Sequence, residues 1–438
     1  MTGQFKLFDF QKKKEVFSWS MYDWANSAFA TTIMAAVLPV YYSTVAAAYL
    51  PSNIASSYWG YTNTLAMLSI AVLAPILGAI ADFKRAKLKF LSFFLSLGIL
   101  FTGLLFFVKE GDWIMASAFY VVGRIGFSGA NVFYDSLLPH IANEKEIDRV
   151  SALGYAFGYL GGGILLIVNI GMILQPDLFG IANAEMGTRF SFISVAVWWA
   201  IFSVPLFLHV PEPVADGRIE LKETAVRAGF QRLMTTLKEI RRYREVFRFL
   251  IAFWFYNDGI GTIIVMAVIF GTEVGIGQEH LIGAIVFVQF VGIPFTLLFG
   301  KLAEKISTKN AIYLGLIVYT ILAIGGYFIR NEVHFWILAF VVAMVQGGTQ
   351  ALSRSTFGVI IPNRKSAEFF GFFDVSQKFS GILGPAIFGL VAQLTGSSRL
   401  SIVSLVIFFV GGILILRGVN IKEGIRIALE EDSKRIIN

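Results

Sequence analysis

Charged and amide side chains stand inside some of the most apolar stretches of this 438-residue chain. Asp23 and Asn26 share one face of a helix, because residues three apart are neighbours there. Asn257 and Asp258 lie well inside another apolar run. A charge within a membrane span costs on the order of 2.5–3.5 kcal/mol to insert, so it marks a functional site by default. Two chemistries follow: binding of a polar solute, or proton coupling by Asp23 or Asp258, since an apolar environment favours the protonated form of a carboxyl group.

A second group of polar residues recurs at helical spacing in other apolar runs. Arg124, Asn131 and Asp135 follow one another at seven and four residues, which places them on one stripe of a helix. An arginine can bind a carboxylate through two hydrogen bonds and an aspartate can hold an ammonium group, so the set suits a zwitterionic solute. Internal salt bridges that fix helix packing are the alternative interpretation. The predicted substrate-binding residues are Asp23, Asn26, Arg124, Asn131, Asp135, Tyr155, Tyr159, Asn257, Asp258, Gln346, Gln350, Arg354, Asp374, Gln377 and Lys378.

The composition is that of a membrane protein. Hydrophobic residues make up 56% of the chain and charged residues 15%, against about 25% charged in soluble domains. In such a protein a net charge of +7 reflects basic loops on the cytoplasmic side, and no nucleic-acid partner is expected.

Several chemistries find no support in the sequence. The chain has no cysteine, which excludes disulfides and thiolate sites, and no phosphate-binding GxxxxGK[ST] loop that would indicate ATP-driven pumping. We therefore predict neither enzymatic activity nor a cofactor nor a metal. The histidines form no metal-binding pattern, because they are scattered near the ends of apolar runs: His140, His209, His280 and His334.

Twelve apolar runs are long enough to cross a bilayer, which takes about 20 helical residues. The predicted fold class is all-α: a polytopic membrane protein with twelve transmembrane helices in two six-helix bundles. The predicted spans are 18–46, 57–81, 88–108, 113–139, 150–174, 189–210, 247–271, 280–302, 310–329, 333–361, 369–395 and 399–418.

Lysine and arginine are unevenly distributed over the loops. They are concentrated in one set, at 84–89, 145–149, 218–248, 301–309 and 364–365, and are sparse in the loops between. Because basic loops stay in the cytoplasm, this asymmetry predicts a multi-pass protein with both termini cytoplasmic, in the plasma (inner) membrane if the source is bacterial.

One long connection divides the spans six and six. The predicted domains are an N-terminal bundle at 1–210, a linker at 211–246, a C-terminal bundle at 247–420 and a cytoplasmic tail at 421–438. Apolar residues in the linker recur at spacings of three and four, which predicts an amphipathic helix on the membrane surface. It would tether the halves; a regulatory or partner-binding role is the alternative.

The two halves repeat part of their sequence. A shift of 231 residues aligns the first span with the seventh, and a shift of 222 aligns the loop after the second span with the loop after the eighth. Two halves of like orientation are one known transporter plan. The matched pairs include Asn26 with Asn257, Thr31 with Thr262, Gly78 with Gly300, Asp82 with Glu304 and Lys87 with Lys309.

Gly78, Asp82, Arg85 and Lys87 form a pattern that resembles the loop motif between spans two and three of the major facilitator superfamily, although Ala86 stands where glycine is expected. Within that superfamily the chain resembles the vacuole effluxer-like, autophagy-related family. The segments that carry this resemblance are YDWANSAF at 22–29, GYLGGG at 158–163, QGGTQALSRS at 346–355 and SQKFSGILGP at 376–385.

The resemblance implies the major facilitator fold and a secondary transporter, with amino-acid efflux as the best-known activity of a family member. We expect alternating access around a small organic solute bound near the membrane midplane, in a monomer within the bilayer. A lipid or amphiphile translocase of the same fold, and a membrane scaffold or sensor that transports nothing, are the alternatives. Charge pairs at the cytoplasmic rim would act as gates: Asp82, Arg85, Lys87 and Glu304.

Overall fold

The computed structural model is helical in all of its regular elements within the part of the chain that it describes. It describes the backbone of residues 2–213, 234–235, 238, 242–379, 381 and 383–433. Side chains are described from residue 12 onward within those ranges, except at 52–53, 56–57, 71–72, 83–84, 268–269, 272–273, 278–279, 282, 378–379 and 398. The amphipathic helix predicted within 211–246 lies for the most part outside the described residues.

Helices correspond to each predicted span, although the first begins well before residue 18 and the last two spans are each covered by two shorter helices. Those of the first half are α1 (Thr2–Ala28), α2 (Ser52–Lys84), α3 (Lys87–Leu104), α4 (Trp113–Ile141), α5 (Ile147–Leu174) and α6 (Ala184–His209). Those of the second half are α7 (Arg244–Glu273), α8 (Gln278–Ile306), α9 (Thr308–Gly325), α10 (Glu332–Ile360), α11 (Ser366–Phe379), α12 (Leu383–Thr395), α13 (Ser398–Ser404) and α14 (Val406–Arg417). A tail helix, α15 (Ile421–Ser433), follows.

The first span continues beyond α1 through wider turns. Phe29–Ala36 and Tyr42–Ala46 are π-helical, and a single α-helical turn at Leu38–Tyr41 separates them. Pro39 has no N–H to donate and therefore breaks the regular α-helical ladder at this point. Such π-helical turns are frequent at functional sites of helical proteins.

Ten of the described helices are individually long and apolar enough to cross a membrane. The two predicted spans outside that set are the fourth and the eleventh. The small and polar residues of α4 dilute its hydrophobicity, and the eleventh span is divided into α11 and α12. The twelve-span, all-α fold that the sequence predicts is thus present, with each of the last two spans divided into two helices.

Buried apolar side chains form two large clusters. One is built from α1–α6, with Trp19 and Trp199 fully buried in it, and the other from α7–α15, with Tyr256 and Tyr319. From the second half of the chain, Ala367 at the start of α11 belongs to the first cluster and Val359 packs against it. We refer to α1–α6 as the N-terminal half and to α7–α14 as the C-terminal half.

The halves approach closely at one end, which we call the basic end: the end that carries the loops 85–86, 142–146, 307 and 361–365. There α2 packs against α11, and α5 packs against α8 and α10. Glycine makes this approach possible, since a Cβ on Gly78 would lie 2.2 Å from the Ala367 carbonyl oxygen. A Cβ on Gly300 would lie 2.9 Å from the Ala152 side chain, in the matching place of the other half.

A second contact is repeated inside each half. Gly158 and Gly162 of α5 pack against Ser27 and Thr31 of the first span. In the C-terminal half, a Cβ on Gly384 would lie 1.8 Å from Thr262 Oγ1, the threonine that the 231-residue shift aligns with Thr31. The sequence repeat therefore corresponds to a repeated helix–helix contact.

Candidate functional site

Arg354 of α10 is the centre of the best-defined polar cluster in the described residues. Its Nε donates to Ser151 Oγ (2.9 Å), and its Nη1 donates to Asp23 Oδ2 and Asp135 Oδ1 (3.1 Å each). Its Nη2 donates to Asp23 Oδ2 (3.1 Å) and to the Ser151 carbonyl oxygen (3.0 Å). A guanidinium has five N–H donors, so every one of them is used within the protein.

Three aromatic rings surround the same guanidinium. Its central carbon lies 4.8 Å from the Trp19 ring, 5.7 Å from the Tyr134 ring and 4.5 Å from the Tyr155 ring, all within cation–π range. The Tyr134 hydroxyl also donates to Asp23 Oδ2 at 2.8 Å. Arg354 is thus held by charge, by hydrogen bonds and by ring faces together.

A glycine makes room for this cluster. A Cβ at Gly154 of α5 would lie 2.5 Å from Asp23 Oδ2 and 2.9 Å from Arg354 Nη2. Both distances are shorter than real Cβ contacts, so any larger residue at this position would displace the ion pair.

The cluster joins the two halves of the molecule. Arg354 belongs to the C-terminal half, whereas its partners come from α1, α4 and α5 of the N-terminal half. Asp135 is six residues from Ile141, the last residue of α4, which is about 9 Å at 1.5 Å per residue. The ion pairs therefore connect the halves near the basic end, and separating the halves there would break all five hydrogen bonds of Arg354.

The other predicted polar residues of α4 lie farther from the basic end, and each has its own partner. Asn131 Oδ1 accepts from Asn26 Nδ2 at 2.8 Å, which joins α4 to the first span. Arg124 donates to the Tyr120 hydroxyl at 2.7 Å. Arg124 and Asp135 are eleven positions apart, which is about 16 Å along the helix. The structure therefore places these two charges far apart along α4.

Asp258 is separated from that cluster and has a different partner. Its Oδ1 accepts from the backbone N–H of Gly384 at 2.9 Å, at the start of α12. A carboxylate at a helix N-terminus satisfies unpaired N–H groups and interacts favourably with the helix dipole. Asp258 is buried and stabilises the point at which the eleventh span resumes.

The other predicted binding residues lie on three helices. The Tyr159 ring fits between Gly292 of α8 and Gly347 of α10. Gln346 and Gln350 are partly buried on α10, two turns and one turn before Arg354. Asn257 is buried on α7, and α11 carries Asp374, buried, and Gln377, half-buried. The side chain of Lys378 lies outside the described residues.

The loop after α2 makes a second contact between the halves. Asp82 accepts from the backbone N–H groups of Ala367 (3.2 Å) and Glu368 (2.8 Å) at the start of α11. Lys87 Nζ lies 3.1 Å from Asp82, and it also contacts His140 Nε2 (2.9 Å) and the Ser366 hydroxyl. Of the predicted gating residues, Asp82 and Lys87 therefore bridge the halves.

Arg85 and Glu304 are placed differently from those two. Arg85 is exposed and adopts a left-handed backbone conformation with φ of 54°, which turns the chain between α2 and α3. Glu304 is exposed. At the loop after α8, the contact that corresponds to that of Asp82 is made by Asp148 of α5, in the N-terminal half. Asp148 accepts from the Thr308 hydroxyl (2.5 Å) and from the Ser355 hydroxyl.

The sequence interpretation missed several residues of this network. Trp19 lies one helical turn before Asp23, and Tyr134 precedes Asp135, so both could have been found by asking which rings flank the buried charges. Ser151 lies one turn before Tyr155 on α5. Nothing in the sequence marks Asp148 or His140, because both are polar residues near the end of a span, where such residues are common.

Comparison with known proteins agrees with this architecture. The family model described as "Vacuole effluxer Atg22 like" matches residues 49–429. The uncharacterized MFS-type transporter YxiO of Bacillus subtilis is 42% identical over 405 residues, covering 92% of this chain and 94% of that protein. Autophagy-related protein 22 of Yarrowia lipolytica is 25% identical over 425 residues, covering 77% of this chain and 71% of that protein.

Solved structures show the same fold. The outward conformation of FucP, a major facilitator superfamily transporter, superposes with a TM-score of 0.66 at 12% identity, over 93% of this chain and 98% of that one. The chain is a multi-pass integral membrane protein, and it belongs to the vacuole effluxer Atg22-like family of MFS-type transporters.

Proposed function

We propose that this protein is a secondary active transporter that moves a small organic solute by alternating access, with an amino acid as the first candidate and with proton coupling. The observation that carries the proposal is the ion cluster of Arg354, Asp23 and Asp135. Its two sides come from different halves, and it lies near one end of the bundle. Contacts of this kind form in one state of an alternating-access transporter and break in the other.

The basic end is proposed to be the cytoplasmic end. Lysine and arginine concentrate in the loops there, and such loops remain in the cytoplasm. Both termini are then cytoplasmic, because α1 begins and α15 follows at this end. The described contacts between the halves at Gly78, Gly300 and Arg354 would close the cytoplasmic exit, which corresponds to an outward-facing state.

The solute is proposed to bind between the halves, on the side of the cluster away from the basic end. Asn26 and Asn131 lie one turn beyond the ion pairs in that direction, and Gln346 and Gln350 lie there on α10. Amide groups of this kind can hold either a carboxylate or an ammonium group through hydrogen bonds. No described feature favours a lipid as the solute over a small polar molecule.

Solute counterflow into proteoliposomes tests the proposal. Vesicles loaded with a mixture of unlabelled amino acids should accumulate a labelled member of the mixture when the full-length protein is present. Arg354→Ala should reduce the rate at least tenfold, because one state loses its closing contact. Arg330→Ala, exposed at the opposite end, is the matched control and should keep the rate. Absence of counterflow for amino acids, peptides and sugars alike would favour a non-transporting scaffold.

Proton coupling has its own test. Asp23→Asn removes a half-buried carboxyl group and Asp258→Asn removes a buried one. If either group carries the coupled proton, its variant should still catalyse counterflow but should no longer concentrate solute in response to a pH gradient. Gradient-driven uptake that survives in both variants would remove both residues as proton carriers.

A further inference from the structure

We infer that the N-terminal half contains a binding site for an organic cation, formed by Asp23, Asp135, Trp19, Tyr134 and Tyr155, and that Arg354 occupies this site as an internal stand-in for the cationic head of the transported solute. The inference rests on the proposed transport function and narrows it to solutes with an ammonium or guanidinium group. We call these five residues the cation box.

The walls of the cation box are held in place without Arg354. The Trp19 and Tyr134 rings stack with centroids 4.5 Å apart, and Trp19 Nε1 donates to the Tyr134 carbonyl oxygen at 3.1 Å. The Tyr134 hydroxyl donates to Asp23. These contacts all lie within the N-terminal half, so the box should keep its shape when the halves separate.

Separation would leave the box with unbalanced charge. Asp23 Oδ2 and Asp135 Oδ1 each lie 3.1 Å from the same nitrogen of Arg354, so they are no farther apart than twice that distance. Two adjacent carboxylates inside a bundle are strongly unfavourable unless a cation or a proton neutralises them. Opening of the basic end therefore leaves a charge that a second cation or a proton must neutralise.

The chemistry of the walls selects an organic cation. Three aromatic faces lie within 6 Å of the present guanidinium carbon, and this arrangement recognises ammonium and guanidinium groups. The Ser151 carbonyl oxygen adds an acceptor for a further N–H. A sodium ion would gain little from the ring faces that make up most of the box, because it prefers a shell of oxygen ligands.

The two carboxylates are also not fully enclosed. Their side chains keep 14% and 17% of their surface exposed, whereas Arg354 keeps 4%. A solute can thus approach the acids while the arginine is still bound. Competition between the solute and Arg354 for the same carboxylates would couple solute binding to the separation of the halves.

Chemical rescue of Arg354→Ala tests the inference. The melting temperature of the purified full-length variant is measured with guanidinium chloride and agmatine at low millimolar concentration, with urea as the uncharged isostere and sodium chloride as the ionic control. The inference predicts a saturable increase with guanidinium and agmatine only. The increase should disappear in Arg354→Ala/Asp135→Asn. Wild-type protein should need about tenfold more ligand for the same increase in melting temperature, because Arg354 already fills the box.

Equal effects of urea, sodium and guanidinium, or an effect that survives in the double variant, would overturn the inference. If Arg354→Ala does not fold, Ser355→Cys gives a second measurement, since Ser355 is buried at the contact between the halves and the chain has no other cysteine. Agmatine should then speed thiol labelling of this variant, and Asp135→Asn should abolish the acceleration. An unchanged labelling rate would contradict the cation box.

The same experiments separate this inference from the proposed function. Saturable guanidinium binding without counterflow of any solute would retain the cation box and reject transport. Counterflow of a solute without an ammonium or guanidinium group, together with no cation binding by Arg354→Ala, would retain transport and reject the cation box.

Discussion

At the scale of single residues, the molecule depends on one guanidinium whose donors are all satisfied by the opposite half. Burying a charge in this way is tolerated only with complete pairing, and removal of one partner of such a pair typically costs about 3–5 kcal/mol. The sequence identified Arg354, Asp23 and Asp135 because charges in apolar runs are conspicuous. It could not show that the three meet, because Arg354 is separated from both acids by more than 200 residues of chain and the pairing is purely tertiary.

The two acids should differ in importance. Asp23 accepts two hydrogen bonds from Arg354 and one from Tyr134, whereas Asp135 accepts one from Arg354. We therefore expect Asp23→Asn to lower the melting temperature more than Asp135→Asn does, in detergent at neutral pH. The reverse order would show that the hydrogen bonds seen here do not determine the stability of the cluster.

Gly154 gives a steric prediction at the same scale. Gly154→Ala adds a methyl group that must push Asp23 and Arg354 apart, and such overpacking typically costs about 1–3 kcal/mol. Gly389→Ala is the control, since Gly389 has open space around it and helix interiors favour alanine. Thermal unfolding should show a loss for the first variant and no loss for the second. Equal melting temperatures would mean that the cluster is looser than described.

At the scale of elements, the tail helix α15 holds the loop that precedes α11. Asp432 accepts from the backbone N–H groups of Asn363 (2.9 Å) and Arg364 (3.3 Å), and Glu431 forms ion pairs with Arg242 and Lys365. The next residues of that loop lead into Ser366, which contacts Lys87 of the N-terminal half. The tail is thus connected through one short loop to a contact between the halves.

Hydrogen exchange at two amides measures this tail contact directly. Asp432→Ala should speed exchange of the Asn363 and Arg364 N–H groups by about tenfold. This corresponds to the loss of roughly 1.4 kcal/mol of stabilisation from their hydrogen bonds to the Asp432 carboxylate. Asp432→Asn keeps an acceptor oxygen and should have a smaller effect. Unchanged exchange in Asp432→Ala would show that these N–H groups are protected by something else.

The same contact should depend on pH. Burial raises the pKa of Asp432 above its ordinary value, although the two backbone N–H groups oppose the shift. The docked tail therefore binds a proton more strongly than the undocked tail, so docking is favoured at low pH and weakens as the pH rises through the interval between the two pKa values. Exchange of the two amides, corrected for its intrinsic pH dependence, should show this trend in the wild type and lose it in Asp432→Asn.

Much of the element structure could be predicted from the sequence, and the exceptions have physical causes. Hydrophobicity and length predict the spans well because a bilayer imposes both. They do not reveal the division between α11 and α12, because the capping carboxylate of Asp258 comes from another span. The sequence also did not predict that residues 421–433 form a docked helix, since the partners of α15 lie in loops distant in the sequence.

At the scale of the whole molecule, three carboxylate contacts among the described residues help to hold the halves together at the basic end. These are the Arg354 cluster, the cap that Asp82 places on α11, and the Asp148 contacts with Thr308 and Ser355. In each of these three contacts the carboxylates belong to the N-terminal half, and the C-terminal half supplies the donors that reach them across the interface. This arrangement lets the two halves separate as rigid bodies, because each keeps its own buried cluster.

The central claim is that the Arg354 cluster keeps the basic end closed, and a distance across that end tests it most directly. The chain has no cysteine, so spin labels at Lys145→Cys and Lys305→Cys, both exposed there on opposite halves, would be the only ones attached. A pair at Lys89→Cys and Lys145→Cys, within one half, is the control. We predict a short distance between the halves in the otherwise wild-type protein, and a second, longer population in Arg354→Ala with the control pair unchanged. An identical distribution between the halves with and without Arg354 would contradict the account.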